Sequence, residues 1–193
     1  QDKKTEAFAY LNRAVDFDPK RVESYLSLAK FHVANRESDK AEALYKRAIS
    51  VNANSSLGHS EYGKFLTQQN RQAEAEAELR KAVEVEPNDR NARFVLASYY
   101  YVNRQLDKAE EAYKALAALQ PDKPEGQAML ADFYSAIGRN DDAIKIYQDV
   151  LSKSPDFLQG RYRLAEIFLT KGDTQGANAQ LDAAFKKDQH DRQ

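Results

Sequence analysis

Residues 22–55 read VESYLSLAKFHVANRESDKAEALYKRAISVNANS, and this stretch decides the fold. Tyr25, Leu28 and Ala29 stand at i, i+3 and i+4; after a polar break at residues 35–39, Ala41, Leu44, Tyr45 and Ala48 take the same step. Apolar residues so spaced share one face of a helix. The stretch therefore reads as two short antiparallel helices with small residues where they approach and a large one beside each to fill the gap.

Outward from residue 41 the pattern recurs in both directions. Ala7, Ala41, Ala75, Ala109, Ala143 and Ala177 are each 34 residues after the last, with no insertion. Four residues beyond each comes Leu11, Tyr45, Leu79, Tyr113, Tyr147 or Leu181; twelve beyond comes Pro19, Ala53, Pro87, Pro121, Pro155 or Gln189. Earlier in each unit, Leu28-Ala29, Tyr62-Gly63, Leu96-Ala97, Leu130-Ala131 and Leu164-Ala165 form a large-small pair. Proline lacks an N–H and disfavours helical geometry before it, so it ends the second helix of a unit. One helix pair cannot bury its apolar face alone, and stacked neighbours share a core. The spacing predicts eleven helices and no strand: one second helix, residues 5–17, then five pairs.

The pattern resembles the tetratricopeptide (TPR) repeat, in which W-x2-L-G-x2-Y, A-x3-F and P follow one another within 34 residues. The resemblance covers nearly the whole chain and implies an all-α, right-handed α-solenoid of stacked antiparallel helix pairs, the TPR superhelix. It would be a single solenoid over 1–193, with the second helix of a truncated repeat at 1–21 and full repeats at about 22–55, 56–89, 90–123, 124–157 and 158–191. Departures from the motif are visible. The opening aromatic survives only as Tyr25 and becomes His59, Arg93, Gln127 and Arg161; the inter-helix glycine survives as Gly138 and Gly172, with Arg36, Asn70 and Arg104 elsewhere. These changes put local stability in question, not the fold.

Composition narrows the function classes. Seven glycines and five prolines in 193 residues are too few for the turns of an all-β domain. Twenty-nine basic against 30 acidic side chains give a net charge of −1 and a pI near 6.4, which argues against nucleic acid as partner. The longest apolar run, residues 94–102, is half a membrane span. There is no cysteine, so disulfides and thiolate sites are excluded while the compartment stays open. The chain opens with Gln1 and its one methionine is Met129, so it is expected to be a piece of something longer, with no signal peptide to read.

Reactive constellations are missing. No G-x-S-x-G, P-loop, G-x-G-x-x-G, H-E-x-x-H or EF-hand spacing occurs, and no catalytic residue, metal site or cofactor is expected. His32, His59 and His190 are too scattered to pair as ligands and read as structural imidazoles or, for His190, as part of a polar end. Asp141 and Asp142 complement a helix dipole. Asn54-Ser55-Ser56 is a formal glycosylation sequon that equally suits a turn.

On each first helix, the residue after the opening position lies about 100° further round, and its i+4 and i+7 neighbours share that face. The rows are Leu26, Ser60, Phe94, Ala128, Tyr162; then Lys30, Lys64, Ser98, Asp132, Glu166; then Val33, Thr67, Tyr101, Ser135, Leu169. By the resemblance these rows line a concave groove that takes partner peptides; here the middle row grades from basic to acidic. Phe94, Tyr101 and Tyr162 have a second reading, as packing between adjacent first helices. Leu26, Ser60 and Phe94 stand where a TPR clamp for C-terminal carboxylates carries Lys, Arg and Asn, so that clamp is not expected.

The expected function is a non-enzymatic scaffold or adaptor that binds a protein or peptide. Its rivals are the substrate-docking arm of a larger enzyme, or part of a bacterial secretion or polysaccharide-export assembly. An RNA-reading helical repeat is disfavoured by the strict period and the charge balance. The end helices, with Ala7, Phe8, Leu11, Ala14 and Val15 in front and Leu181, Ala184 and Phe185 behind, suggest weak end-to-end self-association.

Overall fold

The computed structural model describes residues 2–190, and side chains for residues 3–186; the side chains of Gln189 and His190 lie outside the described set. The described residues form eleven helices and no strand: α1 (Asp2–Phe17), α2 (Val22–Ala34), α3 (Ser38–Val51), α4 (Ser56–Gln68), α5 (Gln72–Val85), α6 (Arg90–Val102), α7 (Leu106–Ala117), α8 (Pro124–Ala136), α9 (Asn140–Lys153), α10 (Leu158–Thr170) and α11 (Thr174–His190). α1 begins three residues before its expected start, because Asp2, Lys3 and Lys4 offer no breaker. The helices group into two compact units, Gln1–Arg104 and Gln105–Gln193. In the first, α2 packs with α3 and α4 with α5, while α2, α4 and α6 lie side by side; in the second, α8 packs with α9 and α10 with α11, and α8 lies beside α10.

The register alanines make this packing possible. Ala41, Ala75, Ala109, Ala143 and Ala177 are all fully buried, as are Ala29, Ala97 and Ala131 on first helices. At Gly63 the approach is closer still: a Cβ there would lie 2.6 Å from the Leu79 side chain. Ala7, the sixth of the series, is exposed on α1.

Each pair is closed by a left-handed residue. Arg36, Asn70, Arg104, Gly138 and Gly172 have φ of 60°, 59°, 60°, 81° and 78°. The amide after the turn donates back across it, Glu37 N to His32 O at 2.9 Å, Arg71 N to Leu66 O at 3.0 Å and Arg139 N to Tyr134 O at 2.8 Å, the bond of a Schellman motif. The turn therefore keeps one geometry whether or not glycine occupies it.

The opening position keeps one job although its aromatic survives only as Tyr25. Tyr25 Oη donates to Pro19 O (3.0 Å), His59 Nε2 to Ala53 O (3.0 Å), Arg93 Nε to Pro87 O (2.6 Å) and Arg161 Nη2 to Pro155 O (2.9 Å). Three residue types at four positions thus tether the first helix to the turn six residues before it. The doubt that the substitutions raised about local stability is answered at His59, Arg93 and Arg161 by a donor that does what Tyr25 does.

A second tether joins successive units. Glu42 on α3 accepts from Tyr62 Oη of α4 (2.9 Å) and Arg71 Nη1 (2.7 Å), with Lys46 Nζ at 2.7 Å. Arg71, then Lys46, hold the Glu42 carboxyl down at about 2, against the opposing push of burial. Sixty-eight residues on, Glu110 meets Tyr134 Oη (2.8 Å), Arg139 Nη1 (2.7 Å) and Lys114 Nζ (2.6 Å).

Candidate functional site

The three rows run along the first helices, and burial divides them. In Gln1–Arg104 the first row is partly closed. Leu26 and Ser60 are 3% and 1% exposed, packed where α2 and α4 meet, so neither offers surface to a partner; this corrects their assignment as groove residues. Ala128 of the other unit is likewise buried. In this row the smaller residues are buried and the two aromatic ones stay outside. Phe94 is 39% exposed and Tyr162 41% exposed. Val33, Thr67, Ser98 and Tyr101 are half-buried. Among the described residues the Ser60 hydroxyl has no hydrogen-bond partner.

Charge on the face is more balanced than the rows alone predict. Glu61, which the rows leave out, sits between the two lysines of the middle row, with Lys30 Nζ at 2.7 Å and Lys64 Nζ at 2.9 Å. Burial pushes the Glu61 carboxyl up, but the two ammonium groups win and hold it below the ordinary value. Two cations thus share one anion. The clue in the sequence was the i, i+3 spacing of Glu61 and Lys64.

In Gln105–Gln193 the signs reverse. Asp132 and Glu166 flank an open groove of about 370 Å³ between α8 and α10, with Ser135, Ala136 and Ile167 in its wall. Tyr147, fully buried, donates its hydroxyl to Asp132 Oδ1 at 2.5 Å and fixes that carboxylate. Burial, then the bond to Asp132, pushes the Tyr147 phenol well above its usual range. Arg163 donates to Glu166 Oε2 (3.0 Å) and places Nε 3.7 Å from Asp132 Oδ1. Leu169 is 53% exposed.

Neither described histidine faces the groove rows. His59 is buried, with Glu78 Oε2 2.6 Å from Nδ1 and Ala53 O 3.0 Å from Nε2. Both partners are acceptors, so the ring carries both protons; the Glu78 bond raises its pKa. His32 Nδ1 meets Glu37 Oε2 at 2.5 Å, and Phe8 stacks on Phe31 (5.4 Å) with its ring edge-on to His32 (5.7 Å). At the sequon, Asn54 is exposed while the Ser56 hydroxyl is buried on Asp89 Oδ2 (2.5 Å). Of the end residues, Phe8 and Phe185 are 39% and 59% exposed, but Ala184 is fully buried, which corrects its assignment to an uncovered end. Among the described residues no group of three or more His, Asp or Glu could hold a metal ion, and no helix is long and apolar enough to cross a membrane.

Comparisons with known proteins agree with this architecture. A family profile described as "Cilia and flagella-associated protein 70 middle TPR-like domain" matches residues 25–152, and one described as "Tetratricopeptide repeat" matches residues 136–193. No curated protein matches the chain. Among solved structures, PilW, described as a widely conserved type IV pilus biogenesis factor, is 26% identical with a TM-score of 0.68, over 96% of this chain and 87% of that one. PilF of Pseudomonas aeruginosa is 18% identical with a TM-score of 0.65 (93% and 82%), and YrrB, described as a TPR protein with an unusual peptide-binding site, is 16% identical with a TM-score of 0.57 (92% and 91%). The last two show the fold alone. With two thirds of its residues under one TPR-like profile and its helix pairs stacked at a 34-residue step, the chain belongs to the tetratricopeptide-repeat family, whose arrays serve in general as scaffolds for protein–protein interaction.

Proposed function

We propose that this chain is an adaptor that holds segments of a partner protein on the exposed face of its first helices, one stretch in each unit. The observation that carries this reading is the exposure of Phe94 and Tyr162, at the same repeat position 68 residues apart, on a face whose neighbouring positions Leu26, Ser60 and Ala128 are buried. Large apolar side chains held out of a packed seam are the kind of anchor that dominates binding energy. The rows that remain available are Lys30, Val33, Lys64, Thr67, Phe94, Ser98 and Tyr101 in one unit, and Asp132, Tyr162, Glu166 and Leu169 in the other.

The test is site-directed photo-crosslinking. A benzophenone amino acid at position 94 or 162 should capture a partner that the same group at Arg80, exposed on the second helix α5, does not, and Phe94→Ala should weaken capture by about 1–3 kcal/mol without lowering the melting temperature. Capture from position 80 alone would overturn the reading. A second reading, the docking arm of a bacterial surface-appendage or secretion assembly, draws on the likeness to PilW over nearly the whole chain. Partners captured from position 94 decide between the two.

A further inference from the structure

We infer that the groove between α8 and α10 selects a segment carrying a lysine or arginine within three residues of an apolar side chain; this rests on the adaptor reading above and specifies its ligand in one unit. Tyr162, Glu166 and Leu169 follow one another at i, i+4 and i+7 on α10, so an aromatic ring, a carboxylate and an aliphatic side chain stand in one exposed line. The line is about 10 Å long at 1.5 Å per residue. An extended segment covers that length in about three residues, which sets the spacing between its apolar and cationic side chains.

The electrostatics fix the sign of the ligand. Asp132 and Glu166 face the groove with Arg163 as the cation between them, two carboxylates against one guanidinium. Asp132 Oδ1 takes the Tyr147 hydroxyl and Glu166 Oε2 takes Arg163. Among the described residues, Asp132 Oδ2 and Glu166 Oε1 accept no hydrogen bond, and both carboxylates line the open groove of about 370 Å³. Because the buried Tyr147 hydroxyl holds Asp132, that carboxylate is placed before the ligand arrives, which lowers the ordering cost of binding. The wall supplied by Ala136 and Ile167 suits the methylene stem behind the charge. The two lysines of the middle row in the other unit, Lys30 and Lys64, are already engaged by Glu61.

The experiment is selection of a displayed random nonapeptide library on the whole chain, counter-selected on Glu166→Gln and on Asp132→Asn/Glu166→Gln. A synthetic consensus peptide, capped at both ends, is then titrated. The expected result is enrichment of Lys or Arg within three residues of Leu, Phe or Tyr, with affinity falling at least tenfold in Glu166→Gln, falling further in the double variant, and weakening as salt rises. Glu166→Gln keeps the test open should loss of Asp132 disturb Tyr147. Enriched peptides that are acidic or neutral, yet lost on Tyr162→Ala, would overturn the cation inference and leave the adaptor reading standing. Peptides indifferent to both Tyr162 and Glu166, or no enrichment, would overturn the inference for this groove, whereas the adaptor reading falls only if crosslinking at positions 94 and 162 captures nothing.

Discussion

At Arg36 the backbone takes φ of 60° in a turn that Gly138 and Gly172 make without a Cβ. A left-handed residue with a side chain costs about 1–2 kcal/mol, and glycine gives back part of that gain as entropy of the unfolded chain. Arg36→Gly is therefore expected to raise unfolding free energy by about 0.5 kcal/mol in a denaturant titration; an unchanged or lower midpoint would mean that the arginine makes contacts worth its strain. His59 sets a pH dependence at the same scale. Its folded pKa is raised above the ordinary 6.5 by Glu78, so the folded state binds the proton more tightly than the unfolded one. That stabilisation is complete below about pH 6.5 and is lost as pH climbs through the raised value. His59→Tyr, which restores the donor found at Tyr25, should keep the tether to Ala53 and flatten the fall in melting temperature above pH 6.5. These residue-level devices were hard to read from sequence because Tyr, His and Arg share no pattern, only an N–H or O–H that reaches one carbonyl.

Helices here are positioned by the size of one residue on each. Gly63 is the tightest case, with Leu79 filling the space that a Cβ would need. Alanine is the better helix former by about 1 kcal/mol, yet overpacking costs about 1–3 kcal/mol, so Gly63→Ala is expected to destabilise by about 1 kcal/mol by thermal melting. Gly63→Ala combined with Leu79→Val should recover part of the loss, since the smaller side chain clears the clash. This level was the most legible: the large-small pairs and register alanines named the contacting positions because close packing allows few residue types there. The starts of α2, α4, α6, α8 and α10 at Val22, Ser56, Arg90, Pro124 and Leu158 keep the 34-residue step throughout. What periodicity could not separate was the seam between adjacent first helices from the open face beside it. The two lie a small rotation apart, so Leu26 and Ser60 read as groove residues although they are buried.

For the molecule as a whole, burial is unevenly shared along the chain. Ala41 and Ala48 of α3 are fully buried, whereas Ala7 and Ala14, their counterparts on α1, are exposed. Stability in stacked repeats is the sum of each unit and its neighbours, so amides of α1 are expected to exchange at least tenfold faster than those of α4 and α5 in native-state hydrogen exchange. Equal protection at α1 would show that it is held by contacts other than its alanine face. Charge resisted reading at this scale because composition gives only a net −1, while Glu61 beside two lysines and Arg163 beside two carboxylates depend on which residues folding brings together.

The ion clamp of Glu42, Lys46 and Arg71 reappears as Glu110, Lys114 and Arg139, each 68 residues on, while Gln105 stands halfway between Arg71 and Arg139. Between them Glu76 accepts from Tyr100 Oη at 3.2 Å, so the carboxylate recurs at every repeat from 42 to 110 while the arginine recurs at every second one. A loss of 34 codons would keep every turn and register alanine but shift which carboxylates share a step with an arginine; a loss of 68 would keep both. Of two such shortened chains, the one lacking 68 codons is expected to retain more unfolding free energy per repeat in a denaturant titration.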